Sequence, residues 1–259
     1  MRLTLLGTGT SFGVPQIGCG CGVCLSTDPR DRRYRAAAAI DTGAGTILID
    51  TPPELRLQLL AAGVAAADAV LFTHKHADHV AGIDDLRAFS VRKREALPLY
   101  ANEMTRDFLL QSYQYIFDPG VTAVPGTSKP RLEMHVVEPW RPFTVAGVEV
   151  LPLPFLHGPV DVLGFRIGRL AYITDVKAVP QDAREALTGL DVLVINALWW
   201  RQHPTHQSIP EAIEAAQAIG ARRTYLTHLS HETGHAKLAE SLPDGIEPGY
   251  DGLTLEIAP

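Results

Sequence analysis

Cysteine is the scarcest informative residue in this chain: three in 259, all between Cys19 and Cys24. Thiols so few and so close together cannot staple a fold, which excludes a disulfide scaffold and points to a reducing cytoplasm. Long apolar runs are missing as well. No stretch approaches the 18 residues of a membrane span. The opening MRLTLLGTGTSFG has one Arg and a four-residue apolar run, too short for the core of a secretory leader. Nor is there a surplus of positive charge. With Lys and Arg at 23 against Asp and Glu at 29, the formal charge is −6, the wrong sign for gripping extended nucleic acid through its phosphates. An anionic substrate must be drawn locally, and metal ions can do that. What is present is ordinary for a soluble globular protein: 46% hydrophobic, 20% charged, with no low-complexity tract.

The segment RLTLLGTGTS reads as a buried strand that breaks at Gly7 and Gly9 into a glycine-rich loop. AAAAIDTGAGTILID reads as strand, turn at Thr42 to Gly45, and strand ending at Asp50. Thr51 and Glu54 have capping-box spacing for a short helix stopping at Gly63. ADAVLFTH is a strand running into a histidine-rich motif, and VAGIDDLRAF has the composition of a helix. LPLYA, MHVVEP, VEVLPLPF, LGFRIG, LAYITD, DVLVINA and RRTYLTHL are further strands, with helices near Gln181 to Leu187 and Ile209 to Ile219. The latter starts on a second capping box, Ser208 with Glu211, and ends at Gly220. Strands and helices interleave with no compositional break, so one domain over residues 1–259, built of two sheets covered by helices, is expected. Residues 86–130 are the least regular stretch and the candidate for an insertion or lid.

The chemistry concentrates in FTHKHADHVAG. In an extended loop residues i and i+2 project the same way, so His74 and His76 can converge on one ion. A turn then lets Asp78 and His79 reach another. Imidazole and carboxylate are ligands that hold zinc or manganese in an open, catalytic geometry. His157, Asp175 and His228 each stand at or just beyond the end of an apolar segment, where they could complete such a site. Taken singly, each is equally readable as a structural polar residue.

A strand running into HKHADH, followed by a spaced His, Asp and His, resembles the metallo-β-lactamase fold superfamily over essentially the whole chain. The resemblance implies an α/β fold, an αββα four-layer sandwich, with a dimetal site on one edge between the sheets. It implies His74, His76 and His157 on one ion, Asp78, His79 and His228 on the other, and Asp175 bridging. Asp78 counts as catalytic as well as ligating, and Asp50 stands behind, ordering the histidine loop. Two ions roughly 3.5 to 4 Å apart can share a hydroxide and clamp both the attacking and the leaving oxygen of a displacement. A bridging Asp175 fits the phosphodiesterases and thioesterases of the superfamily better than its antibiotic hydrolases.

Cys19, Cys21 and Cys24 offer three thiolates, one short of a tetrahedral structural zinc site. His231, three residues past His228 in THLSH, is the attractive fourth ligand; free thiols or a redox role are the alternatives. GTGTSFGVPQIGCGCGVC, THKHADH and THLSH together resemble the PhnP family of cyclic-phosphate phosphodiesterases. That resemblance implies a structural zinc on Cys19, Cys21, Cys24 and His231, two manganese or zinc ions in the active site, a homodimer, and five-membered cyclic ribose phosphates as substrates. His206, in HPTHQSIPEA, matches a histidine of the family's leaving-group region and as imidazolium could protonate the departing alkoxide; His203 competes for that role. His135 and His235 have none assigned.

Some features depart from the family or remain open. Asn196 stands where relatives often carry an acidic residue, and Trp199 and Trp200 follow it. Tyr113, Tyr115 and Phe117 could stack on a base or belong to an aromatic core. The basic run from Arg30 to Arg35 could attract phosphate or be a solvated loop. The expected activity is hydrolysis of a small phosphodiester by a metal-bridging hydroxide. Ribonuclease Z-like RNA processing, thioester or lactone hydrolysis, and a noncatalytic PqqB-like metal-containing partner or carrier protein are the alternatives.

Overall fold

The computed structural model describes residues 1–258. One sheet has the order β14-β1-β2-β3-β4-β5-β6, from β1 (Arg2–Gly7), β2 (Ala37–Asp41), β3 (Thr46–Ile49), β4 (Ala69–Leu71), β5 (Leu97–Ala101), β6 (Leu132–Val136) and β14 (Thr254–Glu256). The other has the order β13-β12-β11-β10-β9-β8-β7, from β7 (Phe143–Val145), β8 (Val148–His157), β9 (Val160–Ile167), β10 (Leu170–Ile173), β11 (Val192–Asn196), β12 (Arg223–Thr227) and β13 (Ile246–Pro248).

Successive side chains of a strand face opposite sides, and that alternation creates the layers. Ile47 and Ile49 join Val192 and Val194 in a core between the sheets, while Leu48 and Leu193 turn outward into separate clusters. Helices cover both outer faces. On the first sheet these are α1 (Leu55–Ala61), α2 (Ala77–Val80), α3 (Arg87–Lys93), α4 (Glu103–Ser112) and α5 (Gln114–Phe117). On the second they are α6 (Gln181–Ala186), α7 (Ile209–Ile219) and α8 (His235–Ser241). The result is the αββα sandwich. Among the described residues no helix is long and apolar enough to cross a membrane.

β3 to β6 run parallel, as do β10 to β13. Buried on both faces, the inner ones, β4, β10 and β11, are mostly apolar, as in VLVI. β8 tolerates Pro152 and Pro154 because β7 pairs only with residues 148 to 150, leaving the later backbone on an edge.

α7 is capped as its sequence demands: Ser208 N–H donates to Glu211 Oε2 at 2.8 Å, and Gly220 closes the helix at φ 70°. The capping box expected at Thr51 does not form. Pro52 and Pro53 hold the chain in a turn, the Thr51 hydroxyl donates to the Val80 carbonyl at 3.3 Å, and Glu54 pairs with Arg35. Residues 86–130 are more regular than their composition suggests. β5 lies inside the first sheet, and α4 starts on Asn102, whose side chain accepts from the Thr105 N–H at 2.8 Å. Only Thr105 and Leu109 of α4 are buried, so its apolar stripe is faint in the sequence. The longest stretch without helix or strand there is 118–131, and Arg131 N–H ties its end to Ser90 of α3 at 3.0 Å.

Candidate metal centre

The C-terminal ends of the parallel strands meet on one edge, where α/β sheets gather ligands. Asp50 follows β3, His74 lies just beyond β4, Asp175 follows β10 and His228 follows β12. Asp50, Asp175 and His228 adopt left-handed backbone, φ 63°, 57° and 57°, although none is glycine. Residues of this kind persist in such conformations only where the surroundings over-determine them, and they concentrate at functional sites. Gly82, at the end of the motif, is required sterically: a Cβ there would lie 2.1 Å from the Pro52 carbonyl oxygen.

Asp50 organises the histidines. Its carboxylate accepts from Thr73 N–H and Thr73 Oγ1–H, each at 2.8 Å, and from His79 Nδ1–H at 2.7 Å. Because the Thr73 proton goes to Asp50, Thr73 Oγ1 is left to accept from His74 Nδ1–H at 3.0 Å. Both tautomers are thereby set, and the Nε2 lone pairs of His74 and His79 are freed. The Thr205 carbonyl, which can only accept, sets His157 in the same way at 3.0 Å from Nδ1.

The freed atoms converge. Asp175 Oδ2 lies 3.6 Å from His74 Nε2 and 3.3 Å from His79 Nε2, while its Oδ1 lies 3.2 Å from His228 Nε2. Asp78 Oδ2 is 3.3 Å from His79 Nε2 and 3.7 Å from His228 Nε2. His74 Nε2 faces His76 Nδ1 at 3.0 Å. Candidate ligand atoms within 4.8 Å of one another form three overlapping sets: Asp78, His79, Asp175 and His228; His74, His76 and Asp175; His157, Asp175 and His206. His157 thus groups with His206, although its ring is still 5.1 Å from that of His76. Asp175 belongs to every set.

These atoms fit cations. His79 Nε2 and both ring nitrogens of His228 are buried without a hydrogen-bond partner, an expensive condition unless something else satisfies them. Burial opposes ionisation of Asp175 and Asp78, yet His228 and His79 hold the former, and His79 foremost the latter, below the usual carboxylate range. Burial would depress His79, but Asp78, Asp175 and Asp50 hold it well above the usual imidazole range. The three carboxylates that favour positive charge at His79 would equally favour a cation among these ligand atoms.

His206 stacks on His228 with centroids 4.8 Å apart and lies 4.3 Å from His157. Burial foremost, then His228, pushes its pKa down to about 3, which disfavours the charged ring there. His203, half-buried, accepts from the N–H groups of Thr205 and His206 at 3.3 Å each through Nδ1, which leaves its proton on Nε2. Asn196 is not a ligand. It accepts from Val176 N–H at 2.9 Å and donates to the Val176 carbonyl at 3.2 Å, clamping the residue after Asp175 in a way a carboxylate could not.

At a second locus, Cys19, Cys21 and Cys24 place their sulfurs 3.3, 3.5 and 3.4 Å from His231 Nδ1. A tetrahedral zinc with sulfur at about 2.3 Å and nitrogen at about 2.0 Å separates such atoms by roughly 3.5 Å, so the set has the dimensions of one ion. The Cys24 N–H lowers the Cys21 thiol to about 6, whereas burial raises Cys24 to about 11.

Arg33 is a structural anchor that its sequence context hid. Within a run readable as solvated or phosphate-binding, its side chain is wholly buried and donates to the Ser230 carbonyl at 2.8 Å, pinning the loop that carries His228 and His231. Of the aromatic candidates, Tyr113 and Phe117 pack into the helical core layer, and Tyr115 bonds to Asp84. The rings beside the centre are Phe12 and Trp199, which line a cavity of about 260 Å³ with His206 and His228. No apolar periodicity marks Phe12 in the glycine-rich loop.

A profile for the β-lactamase superfamily domain matches residues 45–229. The crystal structure of a diphosphatase from the PhnP family superposes with a TM-score of 0.90 at 40% identity, covering 98% of this chain and 97% of that one. A Porphyromonas gingivalis protein named octanoyltransferase is 43% identical over 98% of this chain, which spans only 51% of that relative's length. A ribonuclease Z of Mycobacterium sp. (strain KMS) is 27% identical, with 100% of this chain and 97% of the relative covered.

Proposed function

The chain belongs to the PhnP family of the β-lactamase superfamily, and from that premise we propose that it is a dimetal-dependent phosphodiesterase cleaving a small, cyclic ribose phosphodiester. The observation that carries this is Asp175, whose two carboxylate oxygens face His74 and His79 on one side and His228 on the other. In this reading His74, His76 and His157 hold one divalent ion, manganese or zinc; Asp78, His79 and His228 hold the other; and Asp175 is shared. When bound, the pair supplies Lewis-acid charge to a phosphoryl oxygen and lowers the pKa of water towards about 7. Asp50 keeps the imidazole lone pairs of His74 and His79 turned inward. Asp78 and Asp175, held ionised, balance the cations. His206, against His157 and His228, offers an imidazole N–H to the departing oxygen. Cys19, Cys21, Cys24 and His231 hold a structural zinc outside the reaction, and the protein works as a cytoplasmic homodimer.

Thioester hydrolysis is the second reading. It uses the same ions, and the relative named octanoyltransferase favours acyl chemistry, although that name belongs to a protein about twice as long. Processing of transfer RNA, the work of ribonuclease Z, fits poorly with a net charge of −6 and with a cavity of about 260 Å³. Metal analysis with a parallel assay of a generic phosphodiester, a cyclic ribose phosphate, a thioester and a β-lactam decides among these. Absence of diester turnover by fully metal-loaded protein overturns the phosphodiesterase; turnover of the thioester alone installs the second reading.

A further inference from the structure

The edge of the sandwich opposite the metal centre carries a basic pocket that the chemistry at the strand ends does not use. β3 to β6 run parallel, and Asp50 and His74 stand beyond C-terminal ends of that set. At the other ends, Arg94 stands three residues before β5 and Arg131 immediately before β6. A strand as long as β5 separates the two edges by about 15 Å. Here the end of α3 and residues 119–131 form a cavity of about 520 Å³, lined by Arg94, Lys129 and Arg131 together with Thr122, Thr127 and Ser128. No Asp or Glu lines it. Asp118, beside it in the chain, has its carboxylate on the Gly120 N–H at 2.7 Å. The whole chain carries a net charge of −6, so composition alone does not supply such a pocket.

The cations are positioned without being neutralised. Lys129 Nζ donates to the Asp118 carbonyl at 3.0 Å, and the Arg131 guanidinium to the Arg94 carbonyl at 3.4 Å. Among the described residues neither of these nor Arg94 pairs with a carboxylate, whereas the nearby Arg87 and Lys93 pair with Asp84 and Asp68. Arg94 also closes α3 in left-handed backbone, φ 60° and ψ 23°, a position that glycine takes at less cost. An arginine retained there gives up backbone stability for its side chain.

We propose that this pocket binds a small phosphate-bearing anion, a sugar phosphate or inorganic phosphate, away from the metal centre. Guanidinium and ammonium groups are the side chains that match phosphate oxygens, and the hydroxyls of Thr122 and Ser128 add donors. The volume lies within the range of small-molecule clefts, with room for a sugar on the phosphate. The site does not depend on which reaction the metal centre performs.

The test titrates metal-loaded protein with inorganic phosphate and with ribose 5-phosphate, and follows limited proteolysis of residues 118–131 in parallel. Each small phosphate should bind and protect that segment in the wild-type chain. Arg94→Gly and Lys129→Gln should each weaken the binding by roughly ten-fold or more, the worth of one charge-assisted hydrogen bond, and abolish the protection. The metal centre is intact in both variants, so anion binding there cancels from the comparison. Arg94→Gly should keep or raise the Tm measured without phosphate; a lower Tm would show that Arg94 is kept for stability and overturn its role as a ligand. Tighter binding of ribose 5-phosphate than of inorganic phosphate supports a sugar-phosphate site, and equal binding supports recognition of the phosphoryl group alone. Affinity and protection unchanged in both variants overturn the pocket. Binding of an RNA oligonucleotide with no binding of either small phosphate overturns it as well, in favour of a nucleic-acid contact. Failure to turn over any diester leaves the pocket standing.

Discussion

The two ligand clusters are built on opposite principles. His74, His79, Asp175 and His228 are at most 2% exposed; His74, Asp175 and His228 stand beyond the ends of packed strands, and Asp50 aims His79 directly and His74 through Thr73. The cysteine loop exposes Phe12, Ile17 and Leu25 at 65%, 96% and 70% and buries little of its own apolar surface. In the first region a scaffold exists before any ion arrives. In the second the candidate ligands are themselves the core of the loop, so an ion bound there would contribute its binding energy to folding. Yet three residues join the regions, because His228 and His231 share one loop pinned by Arg33.

The largest test of this contrast is Asp175→Asn. Losing the shared carboxylate should cut turnover on the order of 10³-fold or more, since Lewis-acid stabilisation is worth several kcal/mol. Metal analysis should show depletion of the strand-end ions with the zinc of the cysteine loop retained; loss of all metal together would break the distinction. His206→Ala should lower turnover by about 10²-fold, at the modest end of acid–base effects, without changing metal content. Equal activity in that variant, with loss in His203→Ala, would move the role to His203. Asp50→Asn should weaken metal affinity or activity roughly 10- to 100-fold, as removal of a partner that orients ligands does. Titration with manganese should show the affinity component.

Cys24→Ser probes the other region. Turnover should fall by no more than about ten-fold, while one zinc equivalent is lost and limited proteolysis opens residues 16–25 before the domain unfolds. An unchanged zinc count would refute the structural zinc on Cys19, Cys21, Cys24 and His231. The smallest effect belongs to Asp251, away from both clusters. Burial foremost raises its carboxyl to about 7, against hydrogen bonds from the Tyr34 N–H at 2.6 Å and the Thr8 hydroxyl at 2.8 Å. A carboxyl raised on folding favours the folded state fully below its unfolded pKa of about 4. That contribution is lost as pH rises through about 7, at no more than about 1.4 kcal/mol per pH unit. Asp251→Asn should therefore flatten the fall in Tm between pH 5 and pH 8; an unaltered slope would place the titration elsewhere.

Regular elements were legible where the local signal was strong. Ser208, Glu211 and Gly220 marked both ends of α7, and the buried parallel strands declared themselves as apolar runs. Thr51 and Glu54 had the same spacing and misled, because two prolines and a tertiary partner, Arg35, outcompeted the local cap. α4 was hidden by its sparse apolar face, and the buried Arg33 by a context of charges.

By itself the sequence determined the inventory: a strand-borne HKHADH motif, spaced His157, Asp175 and His228, three clustered cysteines, and His231 three residues past His228. Ligand types are chemical properties of side chains and are visible without a fold. The tertiary structure alone decided which atoms meet. It made Asp175 common to all three sets of the strand-end cluster, gave Asn196 a clamping role, let Asp50 choose the tautomers of His74 and His79, and put Phe12 beside His206. Those outcomes depend on separations of a few ångströms between residues far apart in the chain, and only the packing of two sheets and their helices sets such distances.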